Sequence, residues 1–289
     1  MTPNVKGALL MMGSMAAFTV NDTLVKLAGQ DLPLFQLIAL RGLLATVLVF
    51  GLTHRLGALH LRFNRHDRWL VVLRCLAELF GAFLFLSALI HIPLANVSAV
   101  LQALPLTVTL GAVVFFGETV GWRRKLAIAF GFLGMLLIVR PGPDGLSLYL
   151  IYALLAVLCF TARDLLTRRM SPEVPSMLVT LATSVSITIA AGIASVFQGW
   201  SPVTSDAGVL VAASAVFVLM GYLFSVMVMR VGDVGFISPF RYSSLIWALV
   251  LGWVVFGDWP DAVTLIGAAI VVGSGLFTLL RARAVHAAD

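Results

Sequence analysis

Three charged side chains lie deep inside apolar stretches of this sequence. Arg41, Glu78 and Arg241 each stand nine or ten residues into such a stretch. At 1.5 Å per helical residue, that position is about 12 to 14 Å from the end of a helix. A charge at this depth in a membrane costs a few kcal/mol unless it is paired or reached by water. These residues are therefore candidates to bind a polar solute or to carry a proton.

Each of these charges also has a structural alternative. Arg74 precedes Glu78 by four residues and shares its helix face, which permits a static ion pair within one helix. Burial among phenylalanines would favour a protonated Glu78 suited to proton coupling, whereas Arg74 would favour the ionised form. Arg41 and Arg241 have no acidic residue within one helical turn. That favours a binding role for both, although a partner on another helix would neutralise either one.

A second group of polar residues lies nearer the ends of two apolar stretches. Asn21 and Asp22 belong to the first stretch, and Arg163 and Asp164 to the sixth. We expect gating or structural roles for these four, such as capping a helix or pairing with a basic residue one turn further on. Because neighbouring residues point to different helix faces, the sequence weighs against a direct pair between Arg163 and Asp164.

Two prolines, Pro105 and Pro239, fall inside apolar stretches. Proline removes a backbone N–H and frees a carbonyl group, which kinks a membrane helix. Such kinks act either as hinges of a carrier or as fixed bends. The sequence alone leaves both interpretations open.

Composition indicates which solvent surrounds most of the chain. Apolar residues make up 61% and charged residues 11% of the sequence, against about 45–50% and about 25% in soluble proteins. A bilayer core of about 30 Å requires about 20 helical residues per crossing. We predict an all-α integral membrane protein with ten transmembrane helices, at residues 7–28, 33–52, 69–90, 94–116, 124–139, 147–167, 174–197, 206–229, 233–256 and 261–280.

The basic residues outside these spans are divided unevenly between alternate connections. Thirteen Lys and Arg residues fall on one side, four of them in the connection 53–68, and only Lys26 and Arg140 fall on the other. Short cytoplasmic loops collect positive charge. We therefore expect both termini in the cytoplasm and the chain in the inner membrane. The excess of basic over acidic residues then reflects contact with the lipid bilayer and gives no support to nucleic-acid binding.

The two halves of the chain repeat one pattern. Phe18, Thr19, Asp22 and Lys26 are matched at one constant offset in numbering (160 − 18 = 142) by a second set, Phe160, Thr161, Asp164 and Arg168. Further along the chain, Phe116 is matched by Phe256, at an offset of 140 (256 − 116 = 140). At that second offset Tyr242 is the partner of Gln102, which lies at the same depth as the three central charges.

Five spans in each copy make the second copy enter the membrane upside down relative to the first. The predicted repeats are residues 1–140 and 141–289. Inverted repeats recur in secondary transporters, whose substrate site lies near the midplane between the halves. A duplicated scaffold without a transport path is the alternative.

Short motifs follow one another in a fixed order along the first copy. They are 92–96 (IPLAN), 104–106 (LPL), 116–118 (FGE), 121–124 (GWRR), Gly131, Gly134 and 140–142 (RPG). In this order they resemble the EamA repeat of the drug/metabolite transporter superfamily. The segment 239–243 (PFRYS) is similar to the ninth helix of members that move S-adenosylmethionine or riboflavin. The resemblance implies a ten-helix carrier, with helices one to four and six to nine around a central cavity and helices five and ten outside it.

Motifs for other chemistry are missing from the sequence. It holds no G-x-x-x-x-G-K-[ST], no H-E-x-x-H and no acidic metal cluster, and Cys75 and Cys159 both lie in apolar runs. Such motifs mark ATP-binding and metal-dependent enzymes. We therefore expect no enzyme activity, no metal and no cofactor.

The resemblance and the deep polar residues together predict a secondary transporter for a small polar molecule. The substrate would be a vitamin such as riboflavin, a nucleoside-like compound or an amino acid. The predicted substrate-binding residues are Arg41, Glu78, Gln102, Arg241 and Tyr242. A passive facilitator and an S-adenosylmethionine exchanger are the alternatives, and a lipid-handling or scaffold protein is the least favoured. Whether the chain forms a homodimer is left open.

Overall fold

The computed structural model describes residues 2–55, 64–117, 121–139, 147–171, 173–228, 231 and 234–286. Within these ranges every regular element is helical. The α-helices are α1 (Pro3–Ala28), α2 (Leu34–Arg55), α3 (Arg65–His91), α4 (Leu94–Leu101), α5 (Leu104–Phe116), α6 (Trp122–Val139), α7 (Leu148–Arg169), α8 (Ser176–Gln198), α9 (Ser205–Val228), α10 (Val234–Ile237), α11 (Ser243–Phe256) and α12 (Ala262–His286). A 3-10 helix, Ser238–Tyr242, joins α10 to α11. The predicted loop charges Arg62, Arg140 and Arg230 lie outside the described residues.

The lengths and composition of these helices confirm the all-α membrane fold. In the described ranges, eight helices are long and apolar enough to cross a membrane when α4 with α5, and the 3-10 helix with α11, are each taken as one. The two shorter apolar stretches, Lys125–Ile138 and Ala262–Thr278, lie in α6 and α12. Together these helices correspond to the ten predicted spans.

Helices from the first half pack against helices from the second half. The most extensive contacts are α1 with α9, α3 with α7, α2 with α8 and α6 with α12. In the duplication, α1, α2, α3 and α6 correspond to α7, α8, α9 and α12. Replacing each helix by its counterpart converts the α1–α9 pair into the α7–α3 pair and converts the α2–α8 and α6–α12 pairs into themselves. The packing therefore has the two-fold pattern expected of a duplicated unit.

Contacts along these pairs show that the partners run in opposite directions. Asp67 at the start of α3 binds Ser171 just after α7, and His91 at the end of α3 stacks on Tyr149 at the start of α7. We call the end of the bundle where α1 finishes the Lys26 end. The opposite end, where α7 finishes, is the Arg168 end. Antiparallel pairing across the halves is what an inverted repeat produces.

The fourth and ninth spans are each interrupted near their middle. α4 ends at Leu101, and α5 begins at Leu104 with Pro105 as its second residue. In the ninth span, Pro239 is the second residue of the 3-10 helix that precedes α11. A proline at the start of a helix lacks only an N–H group that would have no helical partner in any case.

Helices α6 and α12 approach each other closely through glycine. A Cβ atom on Gly134 would lie 2.8 Å from the Gly267 carbonyl oxygen, and one on Gly267 would lie 2.6 Å from the Gly134 carbonyl oxygen. Small residues allow such backbone contact between membrane helices, where packing rather than hydrophobicity drives association. The other substantial contacts of this pair are with α4, α5 and the segment 234–242.

Candidate functional site

A cavity lies inside the bundle between α2, α3, α8 and α9. Its volume is about 100 Å³. Its polar lining consists of Arg41, Arg74, Glu78, Thr180, Thr183, Ser184 and Tyr222. Two predicted substrate-binding residues, Arg41 and Glu78, are thus brought to one cavity although they come from different helices.

Amphipathic helix faces explain why these side chains point inward. On α2 the surface away from the cavity carries Leu43, Leu44 and Val47, which are exposed, whereas Arg41 and Gly42 line the cavity. Arg74 and Glu78 share one face of α3 because they are four residues apart. The helices therefore give their leucine and valine surfaces to lipid and concentrate charge around the cavity.

Glu78 is bound by Arg163 of α7. The Arg163 Nη1 atom lies 3.1 and 3.2 Å from the two carboxylate oxygens of Glu78. The anticipated alternative, an ion pair between Glu78 and Arg74, does not form. Arg74 instead donates from Nε to Thr167 at 3.0 Å and from Nη1 to Thr183 at 2.6 Å. Partners on α7 and α8 compete successfully because both helices pack against α3.

Arg163 also contacts its own neighbour in the sequence. Its Nε atom donates to the Asp164 carboxylate at 2.7 Å, so the sequence argument against this pair is wrong. The Cβ atoms of adjacent residues do diverge, but the long arginine side chain reaches around the helix surface. The result is one guanidinium between two carboxylates.

A related polar cluster forms in α1, around the first copy of the repeated stretch that contains Asn21 and Asp22. The Asn21 side-chain nitrogen donates to Asp22 at 2.9 Å, and Arg41 donates from Nε to the Asn21 oxygen at 3.1 Å. Asn21 thus links the Arg41 guanidinium to the Asp22 carboxylate. In the second copy of the motif, Arg163 occupies the position equivalent to Asn21.

The other three predicted substrate-binding residues lie away from the cavity lining. Gln102 donates to the Ser244 hydroxyl at 2.7 Å. Tyr242 is 6% exposed, and its hydroxyl has no hydrogen-bond partner among the described residues. Arg241 is exposed on the 3-10 helix. Their role in substrate binding stays a prediction.

The cavity also contains polar residues that the sequence argument did not select. Thr183 is the repeat partner of Arg41 at the first offset, so the repeat itself could have pointed to it. Tyr222 has 38% of its surface accessible although it lies within a span, in the last third of α9. A single tyrosine in an apolar helix carries no sequence signal that separates cavity from packing. No cluster able to hold a metal ion occurs among the described residues.

The Lys26 end of the bundle is closed by hydrogen bonds. Lys26 is 8% exposed, and its ammonium group donates to the backbone oxygens of Leu89 and Ile92. Gln36 donates to the Ser201 carbonyl and accepts from the Ser201 N–H, both at 2.8 Å. These contacts tie α1 to α3, and α2 to the segment before α9.

The Arg168 end carries a counterpart of one of these contacts. The Lys26 ammonium lies 5.3 Å from the centre of the Phe256 ring, and the Arg168 guanidinium lies 5.3 Å from the centre of the Phe116 ring. Each cation thus stacks on an aromatic residue of the other repeat. Arg168, unlike Lys26, is exposed.

Comparisons with known proteins agree with this architecture. A family model described as the EamA-like transporter family matches residues 5–140 and 147–280. A solved crystal structure superposes with a TM-score of 0.68 at 18% sequence identity, covering 96% of this chain and 98% of that chain. At this identity the superposition supports the fold alone.

Three relatives with curated names illustrate the range of similar proteins. The chain is 24% identical over 269 residues to the S-adenosylmethionine uptake transporter of Rickettsia prowazekii, covering 92% of this chain and 90% of that protein. It is 28% identical over 232 residues to the riboflavin transporter of Rhizobium johnstonii, covering 78% and 74%. It is 26% identical over 278 residues to the pseudopaline exporter CntI of Pseudomonas aeruginosa, covering 92% and 93%.

Proposed function

The chain belongs to the EamA-like transporter family, and we propose that it moves a small polar metabolite across the inner membrane by alternating access. Transport of small metabolites follows from the family and from the names of its relatives. The same names support a role without enzyme activity. They include uptake transporters and an exporter, so they do not select a direction for this chain.

One observation carries the mechanism. A cavity with charged walls lies between the two halves of the bundle, and the Lys26 end of the bundle is held by buried hydrogen bonds of Lys26 and Gln36. A carrier needs a central site that is open to one side at a time, and in inverted-repeat transporters the rocking of one repeat against the other exchanges the open side.

We propose that the Arg168 end faces the cytoplasm, together with both termini. The support is the excess of Lys and Arg in the connections at this end. In a variant with both native cysteines replaced by serine, a cysteine at Asn64 should react with a membrane-impermeant maleimide only after cell lysis. A cysteine at Gln30, at the opposite end, should react in intact cells. Efficient labelling at Asn64 from outside would overturn the orientation.

The transport proposal is tested by solute counterflow in proteoliposomes. Vesicles preloaded with one unlabelled candidate, such as riboflavin, S-adenosylmethionine or an amino acid, should transiently accumulate the same labelled compound. A passive facilitator has no such exchange step and would show equilibration without overshoot. Absence of any uptake above empty liposomes across a broad metabolite panel would favour a scaffold or lipid-handling role.

A further inference from the structure

A second, apolar cavity adjoins the charged one. It has a volume of about 260 Å³, and Ile38 and Ile187 line both cavities. The rest of its lining is aromatic or aliphatic and includes Phe35, Phe83 and Ala190. Phe35 is the second residue of α2, so this cavity lies toward the Lys26 end. The two cavities thus share part of their walls, at Ile38 and Ile187.

Two arginines of the charged part, Arg41 and Arg74, make no direct ion pair among the described residues, and Asn21 links Arg41 to Asp22. In the described part of the chain, neither Arg41 nor Arg74 lies within 4.0 Å of a carboxylate. Glu78, the acidic residue of the lining, is already bound by Arg163. Arg41 uses only its Nε atom in a hydrogen bond, and Arg74 uses Nε and Nη1. Both forks therefore keep N–H donors for an anionic group, and guanidinium groups match carboxylates in a bidentate geometry.

The apolar part is built to receive a ring or a short alkyl group. The Phe35 and Phe83 rings stack with centres 5.2 Å apart and planes 6° from parallel. Opposite them, three alanines of α8 keep the space open: Ala190, Ala191 and Ala194. Small residues on one wall and aromatic rings on the other favour a flat apolar ligand group, which gains stacking as well as burial.

The distance between the two parts sets the length of the ligand. Arg41 and Phe35 are six residues apart on α2, or about 9 Å along the helix axis. That separation suits a molecule in which a few bonds join a carboxylate to a ring. A lipid acyl chain fits less well, because its charged group would remain at the membrane surface whereas Arg41 lies about 10 Å from the start of α2.

We propose that the transported solute is an amphiphilic carboxylate, with its anionic group bound between Arg41 and Arg74 and its aryl or alkyl group in the apolar cavity beside Phe35 and Phe83. The inference rests on the proposed transport function and narrows its substrate class. It makes the apolar cavity a specificity subsite, which a purely polar metabolite would leave empty.

The first test compares three probes on the purified wild-type protein. Equilibrium dialysis should detect binding of 3-phenylpropanoate. Its neutral amide, 3-phenylpropanamide, should bind at least tenfold more weakly, because it cannot satisfy the two guanidinium groups. Propanoate, which lacks the ring, should also bind at least tenfold more weakly. Equal binding of the acid and the amide, or of the acid with and without its ring, would overturn the inference.

The second test uses paired variants that elute as folded monodisperse protein. Arg74→Gln and Ala190→Phe should each weaken binding of 3-phenylpropanoate at least tenfold. Arg68→Gln, an exposed arginine on the same helix, and Ile189→Phe, on the exposed face of α8, should leave it unchanged. A phospholipid that copurifies with wild type but not with Ala190→Phe, without binding of the probe, would instead assign the cavity to lipid and overturn the inference.

Failure of this inference is distinguishable from failure of the transport proposal. Counterflow of a polar metabolite by a protein that does not bind 3-phenylpropanoate would overturn the substrate class and leave the carrier mechanism standing. Binding of the probe without counterflow of any compound would overturn the transport proposal instead.

Discussion

The stretches 17–26 and 159–168 are two copies of one sequence pattern and lie in α1 and α7. Each finishes at its own end of the bundle, and each finishes with a cation stacked on a phenylalanine of the other repeat. Lys26 is buried and bound to two backbone oxygens, whereas Arg168 is exposed. Nearly the same sequence thus buries its last cation at one end of the protein and exposes it at the other.

A second difference reinforces the first. Gln36, which binds the backbone of Ser201, has Leu178 as its partner in the second repeat. Leucine cannot make those hydrogen bonds. The repeats have therefore diverged where they close the two ends, and in a carrier such divergence would set the relative stability of the two open states.

The middles of the two stretches also differ, and here the second copy carries the stronger interaction. Asn21 and Asp22 form a neutral-to-charged hydrogen bond, whereas Arg163 holds both Asp164 and Glu78. The second copy therefore contains a partly buried direct ion pair, whereas Arg41 reaches Asp22 in the first copy only through Asn21. Substitutions at equivalent positions of the two repeats probe these differences.

The largest effect should follow from Arg163→Gln. It leaves Glu78 and Asp164 without their cation, and removal of one partner from a buried pair costs about 3 kcal/mol or more. Asn21→Ala, the equivalent change in the first copy, should cost about 1 kcal/mol, the usual loss for a hydrogen bond. Thermal denaturation in detergent, followed by the fraction of monodisperse protein, measures both variants.

The double variant Arg163→Gln with Glu78→Gln separates two roles of the pair. If Glu78 serves only to balance Arg163, the double change should restore most of the stability and the full transport rate. If Glu78 also couples transport to protons, stability should return while proton-driven accumulation stays lost. A loss for Arg163→Gln no larger than that for Asn21→Ala would show that the two copies are not different in this respect.

The next largest effect concerns Lys26→Met. This change removes two hydrogen bonds from a charged donor, each worth about 1.5 kcal/mol or more. Opening at the Lys26 end should become about a hundredfold more favourable, since about 1.4 kcal/mol corresponds to a factor of ten. A cysteine at Ala191, which is 5% exposed, should then react about a hundredfold faster with a water-soluble maleimide. Arg168→Met should change that rate much less, and an equal change would contradict the comparison.

A smaller effect is expected when the two ends are made alike. Gln36→Leu copies the residue at position 178 and removes two neutral hydrogen bonds, at a cost of about 1 kcal/mol each. The maleimide rate at Ala191 should rise about thirtyfold, the factor that corresponds to about 2 kcal/mol. Gln36→Glu serves as a control, because it keeps the acceptor for the Ser201 N–H and should produce an intermediate rate. No change in either variant would remove Gln36 from the closure of this end.

The fold follows from the sequence to a much greater extent than the site does. The helical spans and the duplication of the five-span unit both follow from apolar length and repeat offset, and the depth of Arg41 and Glu78 stays a prediction. Depth along a helix is readable because every residue advances it by about 1.5 Å. The direction in which a side chain points around the helix axis cannot be read from the sequence in this way, since it depends on how neighbouring helices pack.

That limit explains where the structure differs from the predictions made from the sequence. Glu78 binds Arg163 rather than Arg74 because α7 presents its own arginine to α3. Arg241 lies on the exposed side of a 3-10 helix, outside the lining of the cavity. The apolar cavity depends on Phe35 and Phe83 meeting across two helices, and neither residue stands out in an apolar sequence.

The smallest effect is expected where α2 and α8, the equivalent helices of the two repeats, cross each other. Thr46 and Thr188 are repeat partners, and their hydroxyl oxygens lie 3.2 Å apart where α2 crosses α8. An approximate two-fold axis through this crossing would exchange the two residues, so neither belongs to one end more than the other. Thr188→Val should destabilise the protein by about 0.6 kcal/mol, as is typical of one hydrogen bond between membrane helices, and Thr46→Val by about twice that amount, because Thr46 also contacts the Ser184 hydroxyl at 2.7 Å. Neither variant should change the maleimide rate at Ala191. A shift of that rate by one variant alone would show that the difference between the repeats extends to the crossing itself, and that the two ends are not its only location.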